Sequence, residues 1–354
     1  MAPHSVTAPE RIRPSWLDPG VDLIDADLHL HALPEDLAPR LAAHGIADET
    51  AEGIAIACEA AGTDLTTRSQ PIVDPDTVGR AWLDRHGIVR ALCHVRVVPA
   101  NVSDPRVAHA LAAATNDWQI ENWLAGDARL WGSIVVDPRQ PRAAAAEIDR
   151  VAGRARFAHV LLPLRTAMLL GNREYWPLYE AAAAHNLALA IHAGGITHVA
   201  PTSSGWPSYR VEEEIGMSQI AESQIMNIIS EGVFDRVPAL RLLFLECGWA
   251  WIPAWMWRMD KEWKGLRREI PWVRDAPSAY IRRHMRFSLH PVDVPDAAAF
   301  LQVIEHLLTD ELILFSSGYP DAAEGSIARA LPDGLPATLR ARIASGNARA
   351  FYGD

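Results

Sequence analysis

The sequence predicts a (β/α)8 barrel, an α/β fold in which eight parallel strands alternate with helices. Eight short apolar runs recur along the chain, stretches with helical spacing lie between them, and no glycine-rich GxGxxG turn follows the first run. Alternation of strand and helix is the pattern of a parallel sheet, and eight units over 354 residues suit a closed barrel. A doubly wound sheet is the structural alternative, and the missing dinucleotide-binding turn argues against it.

The runs, in order, are Val21–His29, Ile88–Val95, Leu130–Val136, His159–Leu164, Leu187–His192, Leu240–Glu246, Met285–Leu289 and Leu312–Ser316. Each is rich in Val, Ile, Leu, Phe or Ala, as expected of strands buried on both faces. Ala and Leu at helical spacing mark Val107–Leu124, Pro141–Ala152, Tyr175–Ala184, Ile220–Glu231 and Asp296–Leu308. Residues 1–20 read as an irregular, proline-rich arm. Residues 32–86 carry polar, Gly- and Asp-containing segments and read as an insertion after the first strand. From 21 to 354 the chain reads as one domain, with no internal repeat and no low-complexity tract.

Composition narrows the function. The chain is 49% hydrophobic and 22% charged, which excludes wholesale disorder. It carries 33 basic against 44 acidic residues, a formal −11, with no basic cluster to contact phosphates. That balance argues against a nucleic-acid partner. Three cysteines, Cys58, Cys93 and Cys247, lack CxxC spacing, so neither a disulfide framework nor a thiolate zinc site is indicated. No apolar run approaches the roughly 20 residues of a membrane span, and the polar N-terminus shows no secretory h-region. The expectation is a soluble, cytoplasmic protein that acts on a small molecule, with neither a nucleic-acid nor a membrane partner.

The reactive side chains collect at strand ends. The first run closes Asp25-Ala26-Asp27-Leu28-His29-Leu30-His31, and residues two apart on a strand share a face. Asp27, His29 and His31 therefore point one way, and two imidazoles about 7 Å apart along a strand reach one divalent ion. Two solvated histidines on a loop are the plain alternative for so short a motif. His192 ends the fifth run before two glycines, Glu246 ends the sixth, His290 ends the seventh, and His94 lies near the end of the second. Barrel enzymes draw their reactive groups from these C-terminal strand ends. One such residue is more often structural; several together argue for a metal-centred site. His198 on the Gly194–Gly205 loop reads as a proton shuttle or a plain loop histidine. Arg165, after the fourth run, reads as a clamp for a substrate carboxylate or as half of a structural ion pair. Six of the 13 tryptophans lie between Trp249 and Trp272, most of them packing residues, with one or two left for a pocket or subunit contact.

These residues resemble the amidohydrolase superfamily, in the branch of aminocarboxymuconate-semialdehyde decarboxylase-like enzymes. The likeness runs from about Leu23 to Gly353. It rests on Asp-Ala-Asp-Leu-His-Leu-His, Tyr175-Trp-Pro-Leu-Tyr, Ala-Ile-His192-Ala-Gly-Gly, Gly205-Trp-Pro-Ser-Tyr, Leu245-Glu-Cys-Gly-Trp and the closing Gly346-Asn-Ala-Arg. The resemblance implies a barrel with one divalent metal at its C-terminal mouth, hydrolysis or decarboxylation of a small molecule, and a homodimer as a common assembly. It carries the metal set over to His29, His31 and His192, with Glu246 as fourth ligand or acid/base. The family ends strand eight Ser-Asp-Tyr-Pro, where the Asp binds metal and handles the proton; here Gly318 stands in its place and Asp321 follows after a proline. A glycine can neither ligate nor act as a base. Three readings follow: a silent barrel, a substitution peculiar to this sequence, or a metal set rebuilt from His29, His31, His192 and Glu246 with His290 or His94 nearby. The leading expectation is a metal-dependent hydrolase or carboxy-lyase acting on a carboxylated or aromatic molecule, with zinc as the ion and iron(II) or manganese as alternatives. Glu246, His198 and His290 are its candidate acid/base groups, and Arg165, Tyr209 and Trp249 its candidate pocket residues. An iron(II)-dependent oxygenase on the same barrel and a catalytically silent barrel are the alternatives.

Overall fold

Apolar runs buried on both faces need covering on both sides, and a closed ring of strands wrapped by helices provides it. The computed structural model describes residues 12–46, 54, 74–202, 205–320 and 327–353. Its strands are β1 (Leu23–Leu30), β2 (Ile88–Val95), β3 (Leu130–Val135), β4 (Phe157–Arg165), β5 (Ala188–Gly195), β6 (Leu242–Leu245), β7 (Met285–Ser288) and β8 (Ile313–Leu314). They lie side by side in chain order, every pair parallel. This is the predicted (β/α)8 barrel.

β8 is only two residues long, so the ring closes through the chain beyond it. Ala26 N–H donates to Phe315 O at 2.9 Å, Gly318 N–H to Asp27 O at 3.1 Å and His29 N–H to Tyr319 O at 2.8 Å. A buried carboxylate fixes this seam: Ser317 donates to Asp25 from its backbone N–H at 2.9 Å and its hydroxyl at 2.6 Å. Burial pushes the Asp25 pKa up to about 6 even with those hydrogen bonds pulling it down. Ser317→Ala removes one of the hydrogen bonds holding that charge, and is expected to lower stability by about 1–3 kcal/mol in a denaturant titration.

Outside the ring lie α1 (Pro34–Ala43), α2 (Pro105–Gln119), α3 (Pro141–Val151), α4 (Trp176–Ala184), α5 (Arg210–Ser230), α6 (Ile252–Leu266), α7 (Pro277–His284) and α8 (Ala297–Leu307). Proline opens α1, α2, α3 and α7, where its missing N–H costs nothing and its fixed φ suits the first turn. α5 starts ten residues before the expected Ile220. Its first turns, Arg210-Val-Glu-Glu-Glu, lack apolar periodicity, and a capping box holds them through Glu212, whose carboxylate accepts the Ser208 N–H at 2.6 Å.

Two cores result. The larger lies between strands and helices; the smaller fills the barrel with Ile24, Ala26, Leu92, Ala190, Leu243 and Leu314 among others. The helix Asn347–Tyr352 shuts the end at which the strands begin, with Phe351 in the inner core and Arg90 of β2 donating to Gly353 O at 2.9 Å. The described part of the arm, 12–20, has no helix or strand but is anchored to the barrel. Trp16 is buried, its ring centroid 5.6 Å from that of Phe315 and its N–H bonded to Ile327 O at 2.8 Å. Much of the 32–86 insertion (47–53 and 55–73), and Asp321, lie outside the described residues. No described helix is long and apolar enough to cross a membrane.

Candidate metal centre

The site begins with an irregularity in β1. Pairing with β2 slips between Asp25 and Leu28 and resumes with Leu28 opposite Cys93, which sets His29 opposite His94. The bulge carries Asp27 and His29, both fully buried, to one spot, where His29 Nε2 lies 3.0 Å from Asp27 Oδ1. β5 brings His192, whose Nδ1–H donates to Ala193 O at 2.8 Å. That bond fixes the tautomer and leaves the Nε2 lone pair aimed at His29 Nε2, 3.0 Å away. Of the two glycines after His192, Gly195 serves packing, since a Cβ there (φ +134°) would stand 2.5 Å from Arg165 O.

Glu246 follows β6 with φ +55°, a left-handed conformation that costs a non-glycine residue about 1–2 kcal/mol. Its N–H donates to Ser288 Oγ at 2.8 Å, which holds the turn. The strain delivers its carboxylate to the same spot: Oε1 is 3.8 Å from His29 Nε2, and Oε2 is 3.7 Å from His192 Nε2.

Asp27, His29, His192 and Glu246 thus each offer one ligand atom, all within 4.8 Å of one another. Atoms bound at about 2.1 Å to one ion stand roughly 3–4 Å apart, so this spacing suits a single divalent metal. Asp27 Oδ2 is buried and accepts no hydrogen bond, an acceptor that a cation would satisfy. The electrostatics agree. Burial disfavours a charged His29, but the Asp27 carboxylate, helped by Glu246, outweighs it and pushes the pKa up to about 10. Asp27 is correspondingly held well below the usual carboxylate range by the charge of His29, against the effect of burial. A ligating imidazole must shed that proton, so metal affinity should fall about tenfold per pH unit from pH 9 to pH 7. A chelator-competition titration over that range checks it; a flat profile would refute the assignment of His29.

The structure brings together three of the expected ligands, His29, His192 and Glu246, and adds Asp27. His31 stays outside the group. β1 ends at Leu30, so the alternation that aligned His31 with His29 stops before reaching it, and the bulge turns Asp27 in instead. His290 follows β7, its backbone N–H donating to Ser316 Oγ at 2.8 Å. A Cβ at Gly318 would lie 2.9 Å from His290 Cδ2 and 3.3 Å from Glu246 Oε1, so the three positions adjoin.

The other expected residues lie elsewhere. His198 is exposed in a turn after β5. Tyr209 is 71% exposed, the cap residue of α5 rather than a pocket wall. Trp249 is fully buried, its N–H bonded to Leu289 O at 3.2 Å, because the turn after β6 is clamped by Asp293, which accepts the Trp249 backbone N–H at 2.6 Å. Arg165 is tied to Glu213 of α5 at 3.3 Å, the ion pair of its two sequence readings. One cation was missed: Arg96, two residues beyond His94, lines a cavity at the ends of β2–β5 together with His192, Val97, Val135 and Leu161. Its charge reaches His29, whose pKa it pulls down.

Residues 24–353 match the sequence profile of the Amidohydrolase family. The chain is 21% identical over 209 residues to the gamma-resorcylate decarboxylase of Polaromonas sp. (strain JS666 / ATCC BAA-500), covering 57% of this chain and 62% of that one, less than two thirds of its length. Among solved structures it resembles 5-carboxyvanillate decarboxylase from Sphingomonas paucimobilis, with TM-score 0.67, 23% identity and coverage of 94% and 99% of the two chains. It also resembles the dihydroxybenzoic acid decarboxylase from Polaromonas sp. JS666, solved with manganese and 2-nitroresorcinol, with TM-score 0.68, 18% identity and coverage of 94% and 97%. At such identities the structural likeness speaks for the fold, whereas the profile spans nearly the whole sequence: the chain belongs to the amidohydrolase family.

Proposed function

We propose that the protein is a metal-dependent carboxy-lyase that releases CO2 from a small aromatic carboxylate. The observation that carries the reading is the convergence of Asp27, His29, His192 and Glu246 around the unsatisfied Asp27 Oδ2. The decarboxylases among its relatives favour carbon–carbon cleavage over hydrolysis. With half of the donors carboxylates, and manganese in one related structure, manganese is preferred to the zinc expected from sequence.

Bound there, a divalent ion would supply Lewis-acid polarisation and charge stabilisation. The rest falls to the chain. Asp27 and His29 are closed off from solvent and would hold the ion, whereas the Glu246 side chain, 22% exposed, would stand on the side open to a substrate. The wall of Val, Leu and Pro side chains beside His192 excludes water from the ring, and among the described residues Arg96 supplies the charged side chain in that wall. As the bond to the carboxylate breaks, the ring carbon needs a proton, and His290, beside Glu246 at the mouth, is the group to deliver it.

The test is metal analysis by inductively coupled plasma mass spectrometry on protein purified without chelator or nickel, followed by CO2 release from a panel of hydroxybenzoates. Near-stoichiometric manganese or zinc with CO2 release is the expected result. Stoichiometric iron with oxygen uptake and no CO2 would replace the reading with the oxygenase. An empty site with no turnover would leave a silent barrel.

A further inference from the structure

Two loops meet above the cavity beside His192, although the strands that carry them are not neighbours. The cavity is walled by residues 94–100 leaving β2, by the ends of β3 and β4, and by His192 and Gly195 of β5. In the strand order β2 and β5 are separated by β3 and β4, a span of roughly 14 Å at the usual strand spacing. Yet Asn101 Oδ1 accepts the Thr197 backbone N–H at 2.9 Å and the Thr197 hydroxyl at 3.2 Å. Contacts of that length require the chain after β2 to lean across the ends of β3 and β4. The turn from Val98 to Asn101 is therefore a roof, and Asn101 ties its edge to the β5 side.

Both sides are fixed as far as the tie itself. Val102 O accepts Arg139 Nη2 at 2.9 Å. Arg139 is held in turn by the Asp137 carboxylate, Nε to Oδ1 at 2.9 Å and Nη2 to Oδ2 at 2.9 Å. On the other side Ile196 is buried, and its N–H donates to Arg165 O at 3.0 Å. Within the roof Asn101 N–H donates to Val98 O at 3.0 Å and Val102 N–H to Pro99 O at 2.9 Å, a tight turn able to move as a unit. What is left to swing is this turn and the exposed Thr197.

The tie is unevenly satisfied. Only the amide oxygen of Asn101 can accept the backbone N–H, so Oδ1 faces Thr197. Nδ2 is then buried and meets no acceptor among the described residues. Closing makes two ordinary hydrogen bonds, which water replaces on opening, and starves one N–H that water would serve. Such a balance holds a cover shut without making it hard to open. We infer that Asn101 is the latch of a cover over this cavity. A ligand enters and leaves when the bonds to Thr197 break, and the cavity closes around it when they form again. The latch is made over the empty and the filled cavity alike, so it governs the rate of passage and not the affinity. Of the carboxy-lyase reading it requires only that this cavity takes the ligand.

Asn101→Ala removes both bonds. The probe is nitrocatechol, a coloured aromatic diol that binds metal ions, mixed with manganese-loaded protein in a stopped-flow instrument. Its association and dissociation rate constants should each rise about tenfold in the variant, with Kd within about twofold of wild type. Asn101→Asp keeps two acceptor oxygens, has no N–H to starve and makes charge-assisted bonds, so both rates should fall together. A side chain that only shaped the cavity or repelled the probe would change Kd instead. Amide exchange reads the latch without a ligand: exchange of the Val102 N–H should quicken about tenfold in Asn101→Ala and slow in Asn101→Asp. Unchanged rates in Asn101→Ala, or a changed Kd with an unchanged association rate, would overturn the latch. If the wild-type protein does not bind nitrocatechol, the carboxy-lyase reading loses its ligand site, and the latch stands or falls on the exchange of Val102.

Discussion

His192→Ala is expected to lower the metal content of the purified protein at least tenfold while leaving the fold intact. The ring is held at both nitrogens. Nδ1–H is bonded to Ala193 O at 2.8 Å, and Nε2 meets His29 Nε2 at 3.0 Å and Glu246 Oε2 at 3.7 Å. Truncation removes one of four donors and leaves Asp27 and His29 on β1 and Glu246 just after β6. Three donors still fit an ion, but one flank of it becomes open to the cavity beside β5, and water replaces a fixed imidazole whose orientation cost was already met in folding. The residue itself is nearly buried and packs in the mouth rather than in either apolar core, so unfolding of the chelated protein should shift little. Metal analysis together with a denaturant titration separates the two effects. Unchanged occupancy would remove His192 from the ligand set.

How much of this could be read beforehand depended on the range over which each feature is encoded. The strands were legible because burial on both faces writes a continuous apolar run, and β2 has the expected ends, Ile88 and Val95. Three of the four grouped side chains were legible for a related reason, since several such runs each ending in His or Glu have few structural causes. Asp27 lay on the right face in the sequence reading but was not named as a ligand, because a bulge depends on cross-strand register, which no single strand records. The same blindness gave His31 a place: alternation was extended one residue past the strand. Trp249 and Tyr209 were misjudged in opposite directions. Exposure of an aromatic residue is decided by tertiary packing, as the Asp293 clamp on the turn beneath Trp249 illustrates. His94 and His159 are far apart in sequence, and only the register of β2, β3 and β4 makes them neighbours with ring centroids 4.8 Å apart.

Gly318→Asp, which places there the carboxylate that the resemblance implies for strand eight, is expected to damage the protein rather than to activate it. Position 318 has φ +62°, where a side chain costs about 1–2 kcal/mol even before any contact is counted. A Cβ there would stand 2.9 Å from His290 Cδ2 and 3.2 Å from His290 Nε2, closer than side chains pack. The imidazole must therefore swing away, although its backbone is pinned by Ser316 Oγ at 2.8 Å and by the Ser288 hydroxyl donating to His290 O at 2.7 Å. A new carboxylate would also stand close to Glu246, whose Oε1 is 3.3 Å from that Cβ, so two like charges would share one flank of the metal group. The expected loss is about 1–3 kcal/mol of stability in the chelated protein, with weaker metal binding. Trimming His290 is the control, because the space a side chain at 318 needs is the space the ring fills. His290→Ala combined with Gly318→Asp should recover more stability than the two single effects allow, a coupling read from a double-mutant cycle in denaturant. Additive losses would mean that the imidazole and position 318 are independent, and that the strand-eight side of the site was not rebuilt around His290.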